Sequence, residues 1–559
     1  MPASNRLIPA LIPTLREGYG AEHLRRDAIA GLTVAIVALP LSMAIAIASG
    51  GTPAMGLYTA IVGGFFISAL GGSRFQIGGP AGAFIVLVAA TVAEHGIGGM
   101  MLATMMAGVI MAALGLLRLG SYIKFIPYPV TVGFTAGIGV IIFASQIKDL
   151  LGLTLNGPEP GPILEKLPVI WQSLPTANPV TIALAAVTIA LILGMKRWAP
   201  RLPNLLVAVA VTTLAVSVLG LDTPTIVSTF GAVPSMLPAP SLPPLDTALM
   251  LAVLPNAIGF ALLGSIEALL SAVVADSMSG RRHNSNMELV AQGVANLASA
   301  LFGGMVATGT IARTATNVRA NAHGPVAGML HAVFILGFMM VAAPLVGLVP
   351  LAALAGVLAT VAWNMIERHA IATLFRASRE DAAVLMVTLL LTVFRDLTEA
   401  IVVGFALGSV LFIHRMSKAT GVTSIDPEET AESTGVSRAD DILVYRIRGA
   451  FFFGAAASVG AVLERIADTH KALVIDFADA ALVDSTAINT IEGLVEKARR
   501  RGVMVILTGT TAALRAQFLV HGLGQPAVSF EDSIRDGVER ARGLLGREAP
   551  AMGAAAPAS

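Results

Sequence analysis

Most of this chain consists of apolar segments that are long enough to cross a lipid bilayer. A helix needs about 20 apolar residues to span the hydrocarbon core, and apolar runs of this length are typical of helices rather than barrel strands. Uninterrupted segments of this kind are predicted at residues 28–48, 53–71, 99–117, 128–148, 178–195, 204–221, 250–274, 287–303, 325–343, 348–366, 381–397 and 399–416. The sequence therefore predicts an α-helical membrane protein with a transmembrane domain over residues 28–417.

The amino-acid composition agrees with a bilayer environment. Of the 559 residues, 55% are hydrophobic and 13% are charged, whereas charged residues make up about 25% of an average soluble domain. The chain contains no cysteine, which excludes disulfides, thiolate metal sites and cysteine nucleophiles. The sequence shows no phosphate-cradling glycine-rich loop and no nucleophile–base pair. We therefore predict neither an ATP-driven pump nor an enzyme, and we expect no cofactor, no metal site and no nucleic-acid partner.

Two further segments are apolar but are interrupted by residues that break or cap helices. The first covers residues 78–90 and begins Gly-Gly-Pro-Ala-Gly-Ala, and the second covers residues 308–322 and begins Thr-Gly-Thr. Counting both gives fourteen segments, and each interrupted segment is the third in a half of seven. An odd number of segments per half makes the two halves oppositely oriented. Matching interruptions in such inverted repeats point to the binding site of a transporter.

Lysine and arginine residues sort to one side of the predicted membrane segments. If the N-terminal segment 1–27 is cytoplasmic, the expected cytoplasmic stretches carry Arg74, Arg118, Lys124, Lys196, Arg197, Arg201, Arg281, Arg282, Arg368, Arg376, Arg379, Arg415 and Lys418. The long outside loop 221–250 contains no lysine or arginine. Because cytoplasmic loops are enriched in positive charge, this sorting supports the fourteen-segment topology with both ends of the chain in the cytoplasm.

After residue 417 the sequence changes to that of a soluble domain. Residues 418–439 are polar and acidic and are predicted to form a solvated linker. In residues 440–546, short β-type runs alternate with amphipathic helical runs, which predicts a mainly parallel sheet. The predicted strands are 442–447, 472–477 and 503–507, and the predicted helices are 455–468, 485–500, 511–521 and 531–545. The tail 547–559 is rich in alanine and proline and is expected to be disordered.

Several local motifs, taken together, resemble one known family. They are Asp27-Ala28-Ile29-Ala30-Gly31-Leu32-Thr33, Ala38-Leu39-Pro40, Gly71-Gly72-Ser73, Asn284-Ser285-Asn286-Met287-Glu288-Leu289, Gly293-Val294-Ala295-Asn296, Phe302-Gly303-Gly304, Thr308-Gly309-Thr310-Ile311-Ala312-Arg313-Thr314-Ala315 and Asp484-Ser485-Thr486. With these motifs the chain resembles the SulP anion permeases, which include sulfate, dicarboxylate and bicarbonate carriers and have a terminal STAS domain. The resemblance implies two inverted seven-segment repeats, UraA-like core and gate domains, and elevator-type alternating access. It also implies a homodimer in the cell inner (plasma) membrane, in contact with lipid.

The two interrupted segments are the predicted anion-binding site. A helix N-terminus leaves unpaired N–H groups and a partial positive charge, and inverted repeats point two such termini toward each other near the membrane midplane. We expect the anion to contact Ala81, Gly82, Ala83, Gly309, Thr310 and Ile311. The alternative is that these small residues only permit tight helix packing.

Arg313 lies about one turn into the second half-helix and can reach the predicted site. The alternative roles for Arg313 are a salt bridge to Glu267 and snorkelling toward the membrane surface. The family resemblance favours the role in the site, and because bicarbonate-type members lack this arginine, it favours sulfate-like or dicarboxylate anions. In the first span, family members often have glutamine after proline, whereas this chain has Leu41 followed by Ser42, whose hydroxyl is expected to contact the anion instead.

Glu267 lies in the middle of a predicted span, where a lone carboxylate is costly unless it is paired or protonated. It is a candidate for cation coupling, either as a proton carrier or, with Ser271 one turn further on, as a Na⁺ ligand. The resemblance places an acidic residue here, and glutamate favours a proton slightly. The alternative is a structural partner of Arg313. In the terminal domain, Asp484 is a predicted N-cap and Ser485 a candidate regulatory residue; Ala487 replaces the usual glycine, which disfavours phosphorylation.

The main prediction is a secondary active anion transporter that is coupled to H⁺ or Na⁺. The alternatives are a sodium-coupled bicarbonate transporter, a nucleobase permease of the same membrane fold, and an anion channel or membrane sensor that signals through the STAS domain. A nucleobase permease normally lacks both the terminal domain and Arg313, which counts against it here.

Overall fold

The computed structural model describes residues 7–123, 127–157, 160, 162–199, 202–395, 397–419, 421–425, 442–453, 456 and 471–545. The chain forms two compact units, Met1–Ala406 and Leu407–Ser559. The first unit contains the predicted membrane segments up to residue 406, and the second contains the rest of the last segment, 399–416, and the predicted α/β domain.

The first unit is built from helices, the last of which continues into the second unit. In chain order they are α1 Leu11–Arg16, α2 Ala21–Ala48, α3 Pro53–Tyr58, α4 Gly64–Leu70, α5 Ile85–Leu116, α6 Gly120–Ile123, α7 Tyr128–Leu151, α8 Ile163–Ser173, α9 Pro179–Trp198, α10 Asn204–Leu219, α11 Ile226–Phe230, α12 Thr247–Ser279, α13 Ser285–Leu301, α14 Ile311–Arg319, α15 Val326–Gly347, α16 Leu351–Met365, α17 Arg368–Ala377, α18 Arg379–Phe394 and α19 Leu397–Ala419. A π-helical turn, Thr59–Gly63, joins α3 to α4. Within the described ranges, nine helical stretches are long and apolar enough to cross a membrane.

The fourteen predicted segments all have a helical counterpart in the structure. The shorter helices α10, α13, α14 and α18 supply four of them, and α5 contains two. Within α5 the backbone leaves the helical conformation at Gly96, where φ is 70°. Glycine suits this position because a side chain is disfavoured at positive φ. The first half-helix is therefore continuous with the next span, and Gly96 separates the two.

Helix packing divides the first unit into two groups. The helices α2, α4, α5, α12, α13, α14 and α15 pack against one another, and α7, α9, α10, α16 and α18 form the second group. The first group corresponds to the expected core domain, and the second group corresponds to the expected gate domain. Small residues bring the gate helices close together: a Cβ on Gly133 of α7 would lie 2.5 Å from the carbonyl oxygen of Leu385 of α18.

The segment before α2 is anchored by a buried carboxylate. Asp27 accepts hydrogen bonds from Tyr19 Oη (2.8 Å) and from the amide of Gly324 (3.0 Å). On the surface nearby, Arg74 and Glu17 form a two-pronged ion pair, with one contact at 2.6 Å. Hydrogen bonding from Arg74 lowers the pKa of the Glu17 carboxyl. The N-terminal residues are thereby connected to the turn between α14 and α15.

The second unit contains the α/β domain. Its strands are β3 Gly421–Ile425, β4 Ile442–Phe451, β5 Ala472–Asp476, β6 Ala480–Val483, β7 Met504–Thr508 and β8 Ser529–Glu531, and its helices are α20 Ser485–Arg500, α21 Ala512–Val520 and α22 Ile534–Leu545. The sheet order is β3-β4-β5-β7-β8, with β6 also on β4. All pairs are parallel except β3–β4. The mainly parallel sheet was expected from the alternation of strands and helices.

Three details differ from the sequence prediction or lie outside the described residues. The predicted linker 418–439 contains a strand, because Gly421–Ile425 pairs with β4. The short strands β6 and β8 were not predicted. The predicted helix 455–468 (apart from residue 456) and the tail 547–559 lie outside the described residues.

Candidate functional site

A two-stranded ladder joins the two interrupted segments. Strand β1, Gly78–Gly79, pairs antiparallel with β2, Thr308–Gly309. The ladder is extended at one end, where the amide of Thr310 donates to the carbonyl of Ile77 at 3.0 Å. These bonds place the beginnings of α5 and α14 beside each other, as the inverted-repeat prediction requires.

Both helical segments begin without a side-chain cap. Ala81 (φ −118°, ψ 143°) precedes the 3₁₀ turn Gly82–Phe84, and Thr310 (φ −102°, ψ 131°) precedes α14. The first two amides of each helical segment have no hydrogen-bond partner among the residues that the structure describes: Gly82, Ala83, Ile311 and Ala312. Threonine at an N-cap normally accepts a hydrogen bond from its own helix. Here Oγ1 of Thr310 is buried without a partner in the described region, so this hydroxyl and the amides are available to a ligand.

The predicted contact residues differ in exposure. Ile311 is 41% exposed, whereas Ala81 is 2% exposed and Ala83 is 8% exposed. The open side of the site is therefore the first turn of α14. Gly82 has room beside it, because a Cβ at this position would meet its nearest neighbours at 3.6 Å or more.

Arg313 ties the second half-helix to the segment before the first. Its guanidinium is buried and donates to the carbonyl of Pro80 at 3.1 Å and to Ser42 Oγ at 3.1 Å, with a longer contact of 3.5 Å to the carbonyl of Gly78. Its Nε has no partner within the described residues. A Cβ on Gly79 would collide with Nη1, which explains the need for glycine there. The arginine thus brings a full positive charge between the two helix N-termini.

Ser42 holds this guanidinium in position. Its hydroxyl donates to the carbonyl of Ala38 at 2.7 Å, so its single hydrogen is used within α2. The oxygen then accepts from Arg313. In this conformation Ser42 orients the arginine and does not offer a hydrogen to an anion.

The two predicted coupling residues lie on α12, behind α14. Ser271 Oγ is 3.0 Å from Thr314 Oγ1 and connects the two helices. Glu267 keeps some accessible surface, but its Oε2 is buried and has no hydrogen-bond partner in the described parts of the chain. No salt bridge between Glu267 and Arg313 is present among the described residues, so Arg313 has the carbonyl and hydroxyl partners above rather than the carboxylate partner considered as an alternative.

The structure adds polar residues that sequence reasoning missed. Gln76 donates from Nε2 to the carbonyl of Ala268 at 3.1 Å, and its Oε1 is buried without a described partner. As a lone amide two residues before Gly78, Gln76 could have been noticed by the argument used for Arg313. His331 is fully buried, and neither ring nitrogen has a hydrogen-bond partner in the described region.

In the terminal domain, Ser485 is exposed at the first position of α20. Asp484 caps this helix, accepting from the amide of Ala487 at 2.8 Å. Its second oxygen accepts from the amide of Phe453 at 3.0 Å. The capping prediction for Asp484 is confirmed.

Comparison with known proteins places these features in one family. The profile of the Sulfate permease family matches residues 24–388, and that of the STAS domain matches residues 435–536. The chain is 39% identical over 495 residues to the "Putative sulfate transporter YvdB" of Bacillus subtilis (88% of this chain, 93% of that protein). It is 32% identical over 508 residues to the "Bicarbonate transporter BicA" of Synechocystis sp. (88% and 89%).

Solved structures show the same fold. The transmembrane domain of a cyanobacterium bicarbonate transporter BicA aligns with a TM-score of 0.63 at 32% identity, over 68% of this chain and 98% of that chain. The murine Solute Carrier 26 family member A9 anion transporter, in the inward-facing state, aligns with a TM-score of 0.84 at 18% identity, over 96% of this chain and 94% of that chain. The chain therefore belongs to the sulfate permease family of anion transporters, which are not enzymes, and carries a C-terminal STAS domain.

Proposed function

We propose that this protein is a secondary active carrier of sulfate or a related divalent or dicarboxylate anion, working by elevator-type alternating access. The observation that carries the proposal is the pair of uncapped helix N-termini, held beside each other by β1 and β2, with the charge of Arg313 between them. Free amides at a helix N-terminus are a ready anion site. The predicted contact residues are Ala81, Gly82, Ala83, Gly309, Thr310 and Ile311, with Ser42 positioning Arg313.

The charge at the site favours a divalent anion. Each helix N-terminus contributes the equivalent of about +0.5 charge, and Arg313 adds one full charge, so the total is about two. Sulfate and dicarboxylates carry two negative charges. The relative at 39% identity, whose printed name is that of a putative sulfate transporter, supports this choice.

Bicarbonate is the second candidate substrate. The relative at 32% identity is named as a bicarbonate transporter. Against it stands the total charge of the site, about +2, of which one bicarbonate would balance only half. Competition between the two anions for uptake separates these candidates.

Cation coupling is proposed to run through Glu267. Its unpartnered oxygen is free to bind a proton, and Ser271 supplies a further oxygen close by on the same helix for Na⁺. The protein works as a homodimer in the plasma membrane, with the N-terminus and the STAS domain in the cytoplasm and Ser485 at an exposed regulatory position. The charge sorting of the loops supports this orientation.

An uptake panel in proteoliposomes tests the proposed function. Purified protein is supplied with sulfate, succinate, bicarbonate or chloride, under an imposed proton gradient, an imposed sodium gradient or neither. We expect sulfate or succinate to accumulate above equilibrium under one of the two gradients. Conductance without accumulation indicates a channel, and neither uptake nor conductance indicates a sensor; either result overturns the proposal.

Substituting Gly309 tests the ladder that joins the half-helices. A Cβ at this position would collide with the side-chain amide of Gln76. Overpacking of this kind costs about 1–3 kcal/mol. We expect Gly309→Ala to lower sulfate uptake about tenfold or more, since 1.4 kcal/mol corresponds to a factor of ten. Gly337→Ala on α15 is the matched control, because nothing lies within 4 Å of a Cβ there. Equal uptake by the two variants contradicts a strict requirement for this geometry.

A further inference from the structure

Two of the motifs that carry the family resemblance lie along α13, and neither belongs to the candidate site described above. The residues Glu288, Gln292, Asn296 and Ser299 recur every three or four positions, so they share one face of this helix. All four are fully buried. Because buried polar side chains are expected to be hydrogen-bonded, this face should hold other polar groups of the protein.

Asn296 binds the backbone just before strand β2. Its Nδ2 donates to the carbonyl of Ala307 at 2.8 Å, and its Oδ1 accepts from the amide of the same residue at 2.8 Å. The side-chain amide thus pairs with Ala307 as a neighbouring strand would. Nδ2 also donates to the carbonyl of Gln292 at 2.8 Å, which fixes the orientation of the amide on its own helix. Both N–H groups of this side chain are therefore in use.

Other side chains hold the residues around Ala307. Ser299 Oγ donates to the carbonyl of Met305 at 2.7 Å, and Thr59 Oγ1, in the π-helical turn, accepts from the amide of Met305 at 2.8 Å. A Cβ on Gly63 of the same turn would lie 2.6 Å from the Cβ of Ala307, so the turn and α13 enclose the segment. The segment is buried and belongs to no helix or strand. These side chains replace the hydrogen bonds that regular structure would provide.

The same helix holds the segment that leads to β1. Glu288 Oε2 accepts from the amides of Gly72 at 2.9 Å and Ser73 at 3.0 Å. Glu288 and Asn296 are eight residues apart, which is about 12 Å along α13. One helix therefore anchors the segments before both strands, and its rigid backbone sets the distance between the two anchor points.

Asn296 acts close to the candidate site without belonging to it. Ala307 precedes Gly309 by two residues, which is about 7 Å along an extended chain. Gly309 pairs with Gly78, and α14 begins two residues after Gly309. A shift of Ala307 would therefore move the unpartnered amides at the start of α14 relative to those of the first half-helix. Misplacement of binding groups by about 1 Å can cost an enzyme about a hundredfold in rate, and a site shared by two helix N-termini needs similar alignment.

We propose that Asn296 is a positioning residue of the anion site: it fixes the position of β2 against β1 and, through it, the distance between the two helix N-termini. Asn296 itself makes no contact with the anion. The effect on anion affinity rests on the proposed function above, whereas the anchoring of β2 can be measured without any anion.

Hydrogen exchange tests the anchoring directly. Asn296→Leu keeps the branched shape of the side chain and removes its three hydrogen bonds. We expect the amides of residues 305–312 to exchange about tenfold faster or more in this variant. Asn256→Leu is the matched control, because Asn256 joins α12 to Thr91 of α5 through one hydrogen bond of 2.8 Å. Exchange at 305–312 that is unchanged in Asn296→Leu, or equally accelerated in both variants, overturns the anchoring.

Transport kinetics test whether the anchor positions the site. A merely structural loss reduces the amount of active protein and so lowers the maximal rate alone. We expect Asn296→Leu to raise the KM for sulfate about tenfold or more, and Asn256→Leu to keep the KM within about twofold of the unmodified value. Faster exchange with an unchanged KM, or a fall in the maximal rate alone, overturns the positioning role.

A conservative variant keeps the test valid if Asn296→Leu does not fold. Asn296→Gln retains the amide but is longer by one methylene group, so it should displace Ala307 without leaving its backbone groups unpaired. We expect its KM for sulfate to rise about threefold or more, with exchange at 305–312 close to that of the unmodified protein. An unchanged KM in Asn296→Gln also overturns the positioning role. If the unmodified protein takes up no sulfate, the proposed function fails, and the exchange result still decides on the anchoring of β2.

Discussion

Replacing Arg313 with methionine is expected to lower sulfate accumulation in proteoliposomes about a hundredfold. A hydrogen bond to a charged group is worth up to about 3 kcal/mol, and this corresponds to about a hundredfold in affinity. Methionine fills a similar volume but removes the charge between the two N-termini and the donors to Pro80 and Ser42. The site then keeps only the partial charges of the two helices, about +1 in total. This balances only half of the charge of a divalent anion.

The stability of this variant should change less than its transport. Loss of the arginine leaves the carbonyl of Pro80 without its donor, which costs about 1–3 kcal/mol. Removal of a buried charge offsets part of that cost. Arg313→Lys keeps the charge but lacks the planar guanidinium fork. Its sulfate accumulation should therefore lie between that of Arg313→Met and that of the unmodified protein. Arg319→Met, on the exposed end of the same helix, is the matched control. Accumulation at the unmodified rate by Arg313→Met contradicts the proposed role.

Replacing Glu267 with glutamine is expected to abolish gradient-driven accumulation while anion exchange continues. Glutamine has the same shape, but it neither binds a proton nor provides a negative charge for Na⁺. If one proton is coupled to each anion, a step of one pH unit sustains about a tenfold concentration ratio. For Glu267→Gln this ratio should fall to about one. The measurement is the steady-state ratio of labelled anion under each imposed gradient.

An exposed carboxylate provides the control for this variant. Glu94→Gln removes an acidic group whose side chain is 71% exposed, and it should leave the accumulation ratio unchanged. The comparison of proton and sodium gradients in the unmodified protein identifies the coupling ion. Accumulation by Glu267→Gln that still follows the gradient removes this residue from the coupling mechanism.

The interruptions that define the site are local features and were therefore predictable. Glycine with proline at the start of residues 78–90, and glycine between two threonines at the start of residues 308–322, set these two segments apart from the ordinary spans. The contacts between them are not local. Arg313 and Ser42 are 271 residues apart in the chain, and no sequence pattern specifies that their side chains meet. The same holds for the partner of Ser271, which is Thr314 on another helix.

In the soluble domain, too, some strands were predictable from the local sequence and others were not. Strands β5 and β7 are mostly apolar and β4 begins with an apolar run, because all three lie in the interior of a mainly parallel sheet, and these strands were recognised. Strands β6 and β8 have four and three residues, which is too short for a periodic pattern. Strand β3 was hidden in a polar stretch, since an edge strand needs no apolar run.

The sequence by itself determined that this protein spans a membrane, where its helices lie, and which two of them are interrupted. Length, apolar content and helix-breaking residues act on the segment that contains them, so each segment could be predicted separately. Only the tertiary structure decided that Ser42 and Pro80 hold Arg313, that Glu267 lacks a described partner, and that Asn296 holds the backbone of Ala307. These features arise where distant helices pack, because packing, and not local sequence, selects which polar groups meet.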